Sequence, residues 1–312
     1  DVGADRVGTE REQQGAQVAA FPARTDVYGG AYLDTIWRPG AGVEVVPGLR
    51  VDATRLRGES FVRADPRLAT RVRVGEGVSW VSAFGVAHQL PRDNVRIPAG
   101  NGTAMELFPQ EAWQVSQGVE AVLPFSMLGK VTLFHTWVQA DAVHLTGRNY
   151  GAELFLRRDF TERLGGFLSY TFSRAQRTAG PTTLRSDGDR THVVSAVLGY
   201  NLGHGFRIGS RAYYSSGPPF FVGCPTPDCG PGDPAAPRIY RGTGALPGFL
   251  RFDVRFEKRW TFASGSWLAA TFEWFNALLR DETTDMKWTP GGLRPEVVDP
   301  ITLPSVGIEA GF

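Results

Sequence analysis

The sequence predicts an all-β protein, the wall of a transmembrane antiparallel up-and-down β-barrel with about thirteen strands. Three observations predict it. Side chains alternate with a period of two along most of the 312 residues. The connections between alternating stretches are short and long by turns. Aromatic residues gather beside the short ones.

Composition narrows the classes first. A formal net charge of +1 argues against a nucleic-acid binder, which carries a basic excess. No run of about 18 apolar residues occurs, so no transmembrane helix is expected. That does not exclude a membrane wall, because barrel strands need only about 9–11 residues and hide every second one from lipid. With 38 glycines and 21 prolines, the chain suits many strands joined by many turns.

The expected strands run in order as follows. Stretch 28–38 alternates up to Trp37. Stretch 43–56 sets Val43, Val45, Leu49 and Val51 against Glu44, Arg50 and Asp52. Stretch 66–74 carries Arg67, Arg71 and Arg73 on one face, and 78–88 follows it. Stretch 111–123 places Gln114, Ser116 and Glu120 together, and 130–141 alternates after it. Leu154 and Leu156 mark 149–159, and Leu168, Tyr170 and Phe172 mark 164–175. Val194, Ala196, Leu198 and Tyr200 form the apolar face of 190–201, and Arg207 and Arg211 the charged face of 205–216. In 248–260, Phe252, Val254 and Phe256 oppose Arg251, Asp253, Arg255 and Glu257. In 266–278, Leu268, Ala270, Phe272 and Trp274 oppose Thr271 and Glu273. The last, 304–312, alternates Val306, Ile308 and Ala310 up to Phe312.

Short connections are expected at 39–42, 75–77, 124–129, 160–164, 202–205 and 262–265. Longer ones are expected at 89–110, 176–189, 217–247 and 279–303. Tight turns at one rim and long loops at the other are the arrangement of an up-and-down barrel. Trp37, Trp80, Phe125, Phe160, Tyr200, Phe206, Trp260, Phe262 and Trp267 flank the short turns. They read as an interfacial girdle, although large aromatics also close the ends of soluble cores.

If the short turns are periplasmic, 304–312 ends in the periplasm and 28–38 also runs inward. Residues 1–27 then start as an external loop segment, residues 28–312 form the barrel portion, and the wall lacks at least one strand. Residues 5–22 are the place where a weak extra strand would change that count. The start at Asp1 looks processed or truncated.

Candidate chemistry is sparse. His88, His135, His144, His192 and His204 form no metal-binding spacing, and no G-x-S-x-G nucleophile motif occurs. His192 and Ser195 have opposite parity. An enzyme is not expected, nor is a cofactor. Clustered acids at 186–189 and 280–285 raise a weak calcium possibility, with Asp187 and Asp189 the better pair, against ordinary solvated loop acids. Arg50, Arg67, Arg71, Arg73, Arg207, Arg211, Arg251 and Arg255 either steer an anionic or metal-chelate ligand or form charge ladders with Glu44, Asp52, Asp253 and Glu257, and Glu273 joins them as a lumen charge. Cys224 and Cys229 flank a short Pro-rich loop, and a disulfide there implies an oxidising compartment. The long loop around them, with Phe220, Phe221, Arg238 and Tyr240, is the expected ligand-contacting element.

Stretches 149–177, 189–220 and 246–262 resemble the C-terminal barrel strands of TonB-dependent outer-membrane receptors, and the likeness covers nearly all of residues 26–312. The ending LPSVGIEAGF resembles the terminal strand of outer-membrane proteins. The resemblance implies recognition of Phe312 by the barrel-assembly machinery and a location in the outer membrane of a Gram-negative bacterium. It also implies energised uptake of a scarce solute, such as a siderophore, through a barrel of about 22 strands. The family's plug domain, through which the TonB complex acts, has no counterpart here. A stand-alone passive pore is the alternative, followed by a soluble β-rich binding module that buries its apolar face.

Overall fold

A computed structural model describes residues 2–13, 16–56, 59–89, 110–140, 145–160, 163–179, 182–186, 188–220, 244–289 and 292–312. Within these, side chains are described except at 2–13, 16–26, 56, 59, 140, 145, 179, 182, 287–289 and 292–293.

The chain opens with β1 (Val2–Gln13), β2 (Ala16–Asp34), the short β3 (Trp37–Gly40), β4 (Val43–Leu56) and β5 (Glu59–Gly75). Next come β6 (Val78–Gln89), β7 (Gln110–Leu123), β8 (Met127–Ala140), β9 (Leu145–Arg158) and β10 (Leu164–Ala179). The short β11 (Thr182–Arg185) precedes β12 (His192–Gly203) and β13 (Phe206–Ser215). β14 (Pro219–Phe220) and β15 (Gly244–Ala245) pair only with each other. β16 (Phe249–Thr261) and β17 (Trp267–Phe275) lead to a second separate hairpin, β18 (Glu282–Thr289) with β19 (Gly292–Val298). β20 (Leu303–Gly311) closes the chain.

Fourteen of these strands form one continuous path, β1-β2-β4-β5-β6-β7-β8-β9-β10-β12-β13-β16-β17-β20. Neighbours in sequence are neighbours in space and antiparallel, the up-and-down order expected. Among the described residues no ladder joins β1 to β20.

Residues 1–27 are corrected by the backbone. The described part of the expected loop segment is strand, with Val2 opposite Gly29 and Gln13 opposite Ala16. Pairing of β2 with β4 begins at Val27 opposite Arg55, so much of this hairpin stands beyond the end of β4. β1 therefore adds an outward-running strand, and the parity argument for an odd count falls. Apolar alternation gave no warning, because VGADRVGTEREQ has no apolar face and pairs through its backbone. A smaller correction concerns stretch 28–38, which breaks at 35–36 into the end of β2 and β3.

The short rim is built from tight turns that need left-handed backbone. Gly42 has φ 84 and Gly77 φ 67, as glycine allows. The β7–β8 turn instead places Phe125 (φ 62) and Ser126 (φ 58) there.

The sheet is a single layer. Among the described residues the only buried hydrophobic side chains are Leu246 (6% exposed) and Ala269 (0%). The apolar face stays open, with Leu68, Val119, Leu133, Leu198, Phe256, Leu268 and Val306 all exposed. A soluble sheet would cover that face with a second layer. Polar groups on the same face bond one another. Thr70 and Ser82 hydroxyls lie 2.6 Å apart, and Trp80 Nε1 donates to Gln117 Oε1 at 2.9 Å.

Eight of the nine rim aromatics are exposed beside the short turns, Trp37 and Phe125 among them. Trp267 is the exception. Its register opposite Thr261 puts it with Thr271 and Glu273 on the charged face, where the Arg259 guanidinium lies 4.1 Å over its ring. A second aromatic belt lies nearer the opposite rim, with Phe84, Trp113, Trp137, Tyr150, Tyr214 and Trp274 exposed on the apolar face.

Candidate functional site

The charged face is built by strand parity. On β16, Arg251, Asp253, Arg255 and Glu257 project together, opposite Tyr213, Arg211, Gly209 and Arg207 of β13. Arg255 bonds Glu273 on β17, Glu309 on β20 at 3.0 Å and Glu257 at 3.4 Å. Glu257 also draws Arg259 to 3.4 Å and Arg207 to 3.7 Å. Arg251 pairs with Asp253 at 3.2 Å and lies 4.3 Å over the Phe275 ring.

A second charged cluster covers β2 to β8. Arg67 Nε donates to Asp34 at 2.7 Å, Arg50 Nε to Asp52 at 2.7 Å, and Arg38 pairs with Glu44 at 2.7 Å. Arg71 bonds Glu120, which also draws Lys130 to 3.4 Å. Between these charges is a shallow groove of about 270 Å³ floored by Ala69, Val81, Ala83 and Ser116. Small side chains flanked by ion pairs give a polar wall with room for another surface to approach.

Neutralisation is incomplete. The Arg73 and Arg211 guanidiniums have no ion pair with another described residue, although Arg211 sits opposite Asp253 in register. Asp253 is already engaged by Arg251 and by the backbone N–H of Asn276 at 2.9 Å. The face thus carries both ion-pair ladders and guanidiniums with no ion pair to another described residue.

Other expected residues are less concentrated. Phe220 pairs with Gly244 in the small β14–β15 ladder. Phe221, Cys224, Cys229, Arg238, Tyr240 and Asp187 lie outside the described residues. Asp189 is buried, and its Oδ2 is bound by Arg185 Nε at 2.7 Å with Arg174 at 3.8 Å, so its charge is already met by guanidiniums. Among the described residues no group of three or more acidic, His or Cys side chains fits a metal ion. Phe312 is exposed beyond Gly311, which faces Trp267 at the short rim. His192 lies opposite Phe172 and Ser195 opposite Ser169, on opposite faces. His144 is outside the described residues.

One cluster escaped the sequence analysis. His88 at the end of β6 contacts Asp65 through Nδ1 and Glu111 through Nε2 at 2.9 Å. It ties β5, β6 and β7 together. The partners are 23 residues away on either side, so no local spacing announces them.

A family model described as TonB dependent receptor-like, beta-barrel, matches residues 5–277. No curated protein matches. Among solved structures, the ferric-catecholate import receptor Fiu of Escherichia coli superposes with a TM-score of 0.68 at 16% identity. That match covers 92% of this chain and 45% of Fiu. The ferric yersiniabactin uptake receptor FyuA of Yersinia pestis gives 0.69 at 10% identity, over 99% of this chain and 50% of its own. The ferripyoverdine receptor of Pseudomonas aeruginosa gives 0.67 at 13% identity, over 95% and 41%. This chain spans half or less of each of these three proteins, and at such identities the likeness is one of fold.

Proposed function

The chain belongs to the TonB-dependent receptor β-barrel family, and from that premise we propose that it is the C-terminal wall of an outer-membrane receptor for a scarce solute. A ferric siderophore or a similar ferric chelate is the substrate class proposed. What supports this is one arrangement above all. A single-layer sheet leaves an apolar face open between two aromatic belts and gathers its arginines and carboxylates on the other. Lipid takes the first face and a watery lumen the second.

In this proposal the ladders around Arg255 and Glu120 hold the strands and receive a plug domain through which the TonB complex acts. The cations left over, Arg73 and Arg211, face the lumen and favour an anionic chelate. The long loop carrying Phe220, Phe221, Arg238 and Tyr240 contacts the ligand, stiffened by a Cys224–Cys229 disulfide. Phe312 presents the assembly signal. The chemistry is binding and gating, with no catalytic step.

Growth on ferric siderophores as sole iron source tests it, comparing the intact strain with one lacking the gene and one lacking TonB. Loss of growth in both mutants is expected. Uptake that depends on the gene but survives without TonB would favour a passive pore instead.

A further inference from the structure

Toward the long-loop rim, the apolar face ends in a fixed sequence of side-chain types. β9 passes from Leu156 and Leu154 through Tyr150 to Arg148. β10 passes from Leu168 through Tyr170 and Phe172 to Arg174 and Gln176. Register puts them side by side, with Tyr150 opposite Arg174 and Arg148 opposite Gln176. Arg185 of β11 sits opposite Gln176 on its other side. Trp137 is opposite Arg148 on β8 and is exposed, so these residues share the face proposed to meet lipid.

The cluster is held in place. Asp189, its side chain fully buried, accepts Arg185 Nε at 2.7 Å and draws Arg174 to 3.8 Å. Arg185 also donates to Thr191 Oγ1 at 2.8 Å. Arg148 is exposed and makes no ion pair with another described residue. Asp189 engages two of the three guanidiniums, those of Arg185 and Arg174, and Arg148 adds a third positive charge at the height of the second aromatic belt.

We propose that Arg148, Arg174 and Arg185 form a docking surface for the phosphate groups of an anionic lipid in the outward-facing leaflet. Aromatic belts mark headgroup depth, and guanidiniums bind phosphate in a bidentate fork. Basic clusters at that depth attract anionic headgroups. The inference rests on the membrane orientation argued under Proposed function.

The test titrates diphosphoryl lipid A, dispersed in zwitterionic detergent, into the folded chain and counts bound lipid by native mass spectrometry. Arg148→Ala removes a residue with no ion pair to another described residue and weakens binding about fivefold. Arg148→Lys keeps the charge without the fork and restores binding only in part. Arg177→Ala, at the same height on the opposite face, leaves it unchanged. Lipid binding that ignores Arg148→Ala overturns the proposal, as does inorganic phosphate displacing the lipid at equal concentration. Flotation with phosphatidylcholine vesicles separates the two levels. A chain that does not float sinks the membrane orientation, whereas a chain that floats but whose lipid A binding ignores Arg148→Ala sinks only the lipid surface.

Discussion

Arg255 on β16 reaches past β17 to hydrogen-bond Glu309 on β20 at 3.0 Å. It bonds Glu273 on the intervening strand as well, so one guanidinium ties three strands at the C-terminal edge of the sheet. Arg255→Ala leaves Glu257, Glu273 and Glu309 facing one another with less positive charge among them. Because the cluster is partly solvated, the expected loss is about 1–2 kcal/mol rather than the larger cost of a fully buried pair. Urea unfolding in lipid vesicles measures it. Glu309→Gln keeps two of the three partners and should cost less than Arg255→Ala.

Leu133 and Thr132 are adjacent on β8 and face opposite ways. Leu133 is 60% exposed on the apolar face, and Thr132 sits opposite Glu153 on the charged one. In a bilayer, Leu133→Arg should cost about 2–4 kcal/mol near the midplane. Thr132→Arg gains a carboxylate neighbour and should cost almost nothing. Equal effects in vesicle-based unfolding would remove the case for lipid on one side only.

The strands were legible because each has one apolar and one charged face, as in Phe252, Val254 and Phe256 against Arg251, Asp253 and Arg255. β1 was not, because both its faces are polar and its pairing is carried by backbone groups. The same limit hid the Asp65–His88–Glu111 contact, which depends on how three strands align rather than on any local spacing. The second aromatic belt went unnoticed because Trp113, Trp137 and Tyr150 lie within strands, away from the short turns that drew attention to the first. Trp267 shows the reverse error. Proximity to a short turn placed it in the girdle, while parity alone would have put it with Glu273.

The β7–β8 turn should be improvable. Ser126 adopts φ 58 and Phe125 φ 62, left-handed values that cost an ordinary residue about 1–2 kcal/mol. Ser126→Gly relieves that strain at one position and loosens the unfolded chain in exchange. A net gain of about 0.5–1 kcal/mol is expected, seen as a higher urea midpoint. An unchanged or lower midpoint would mean that the strain at Ser126 is no larger than the entropy glycine returns to the unfolded chain.

The Thr70–Ser82 pair offers a finer test of what solvent the apolar face meets. Their hydroxyls lie 2.6 Å apart, flanked on that face by Leu68, Val72, Trp80 and Phe84. In water, losing one hydroxyl would hardly matter, since a water molecule replaces it. In hydrocarbon the survivor has no substitute partner. Thr70→Val should therefore cost about 1–3 kcal/mol, the desolvation penalty of a hydroxyl left alone. Adding Ser82→Ala removes the stranded group, so the double variant should recover most of the loss. The coupling is read from the four urea midpoints in vesicles, and it should shrink when the cycle is repeated in a short-chain detergent that admits water. Additive single effects in both media would show that the pair is wet, and with it this stretch of the wall.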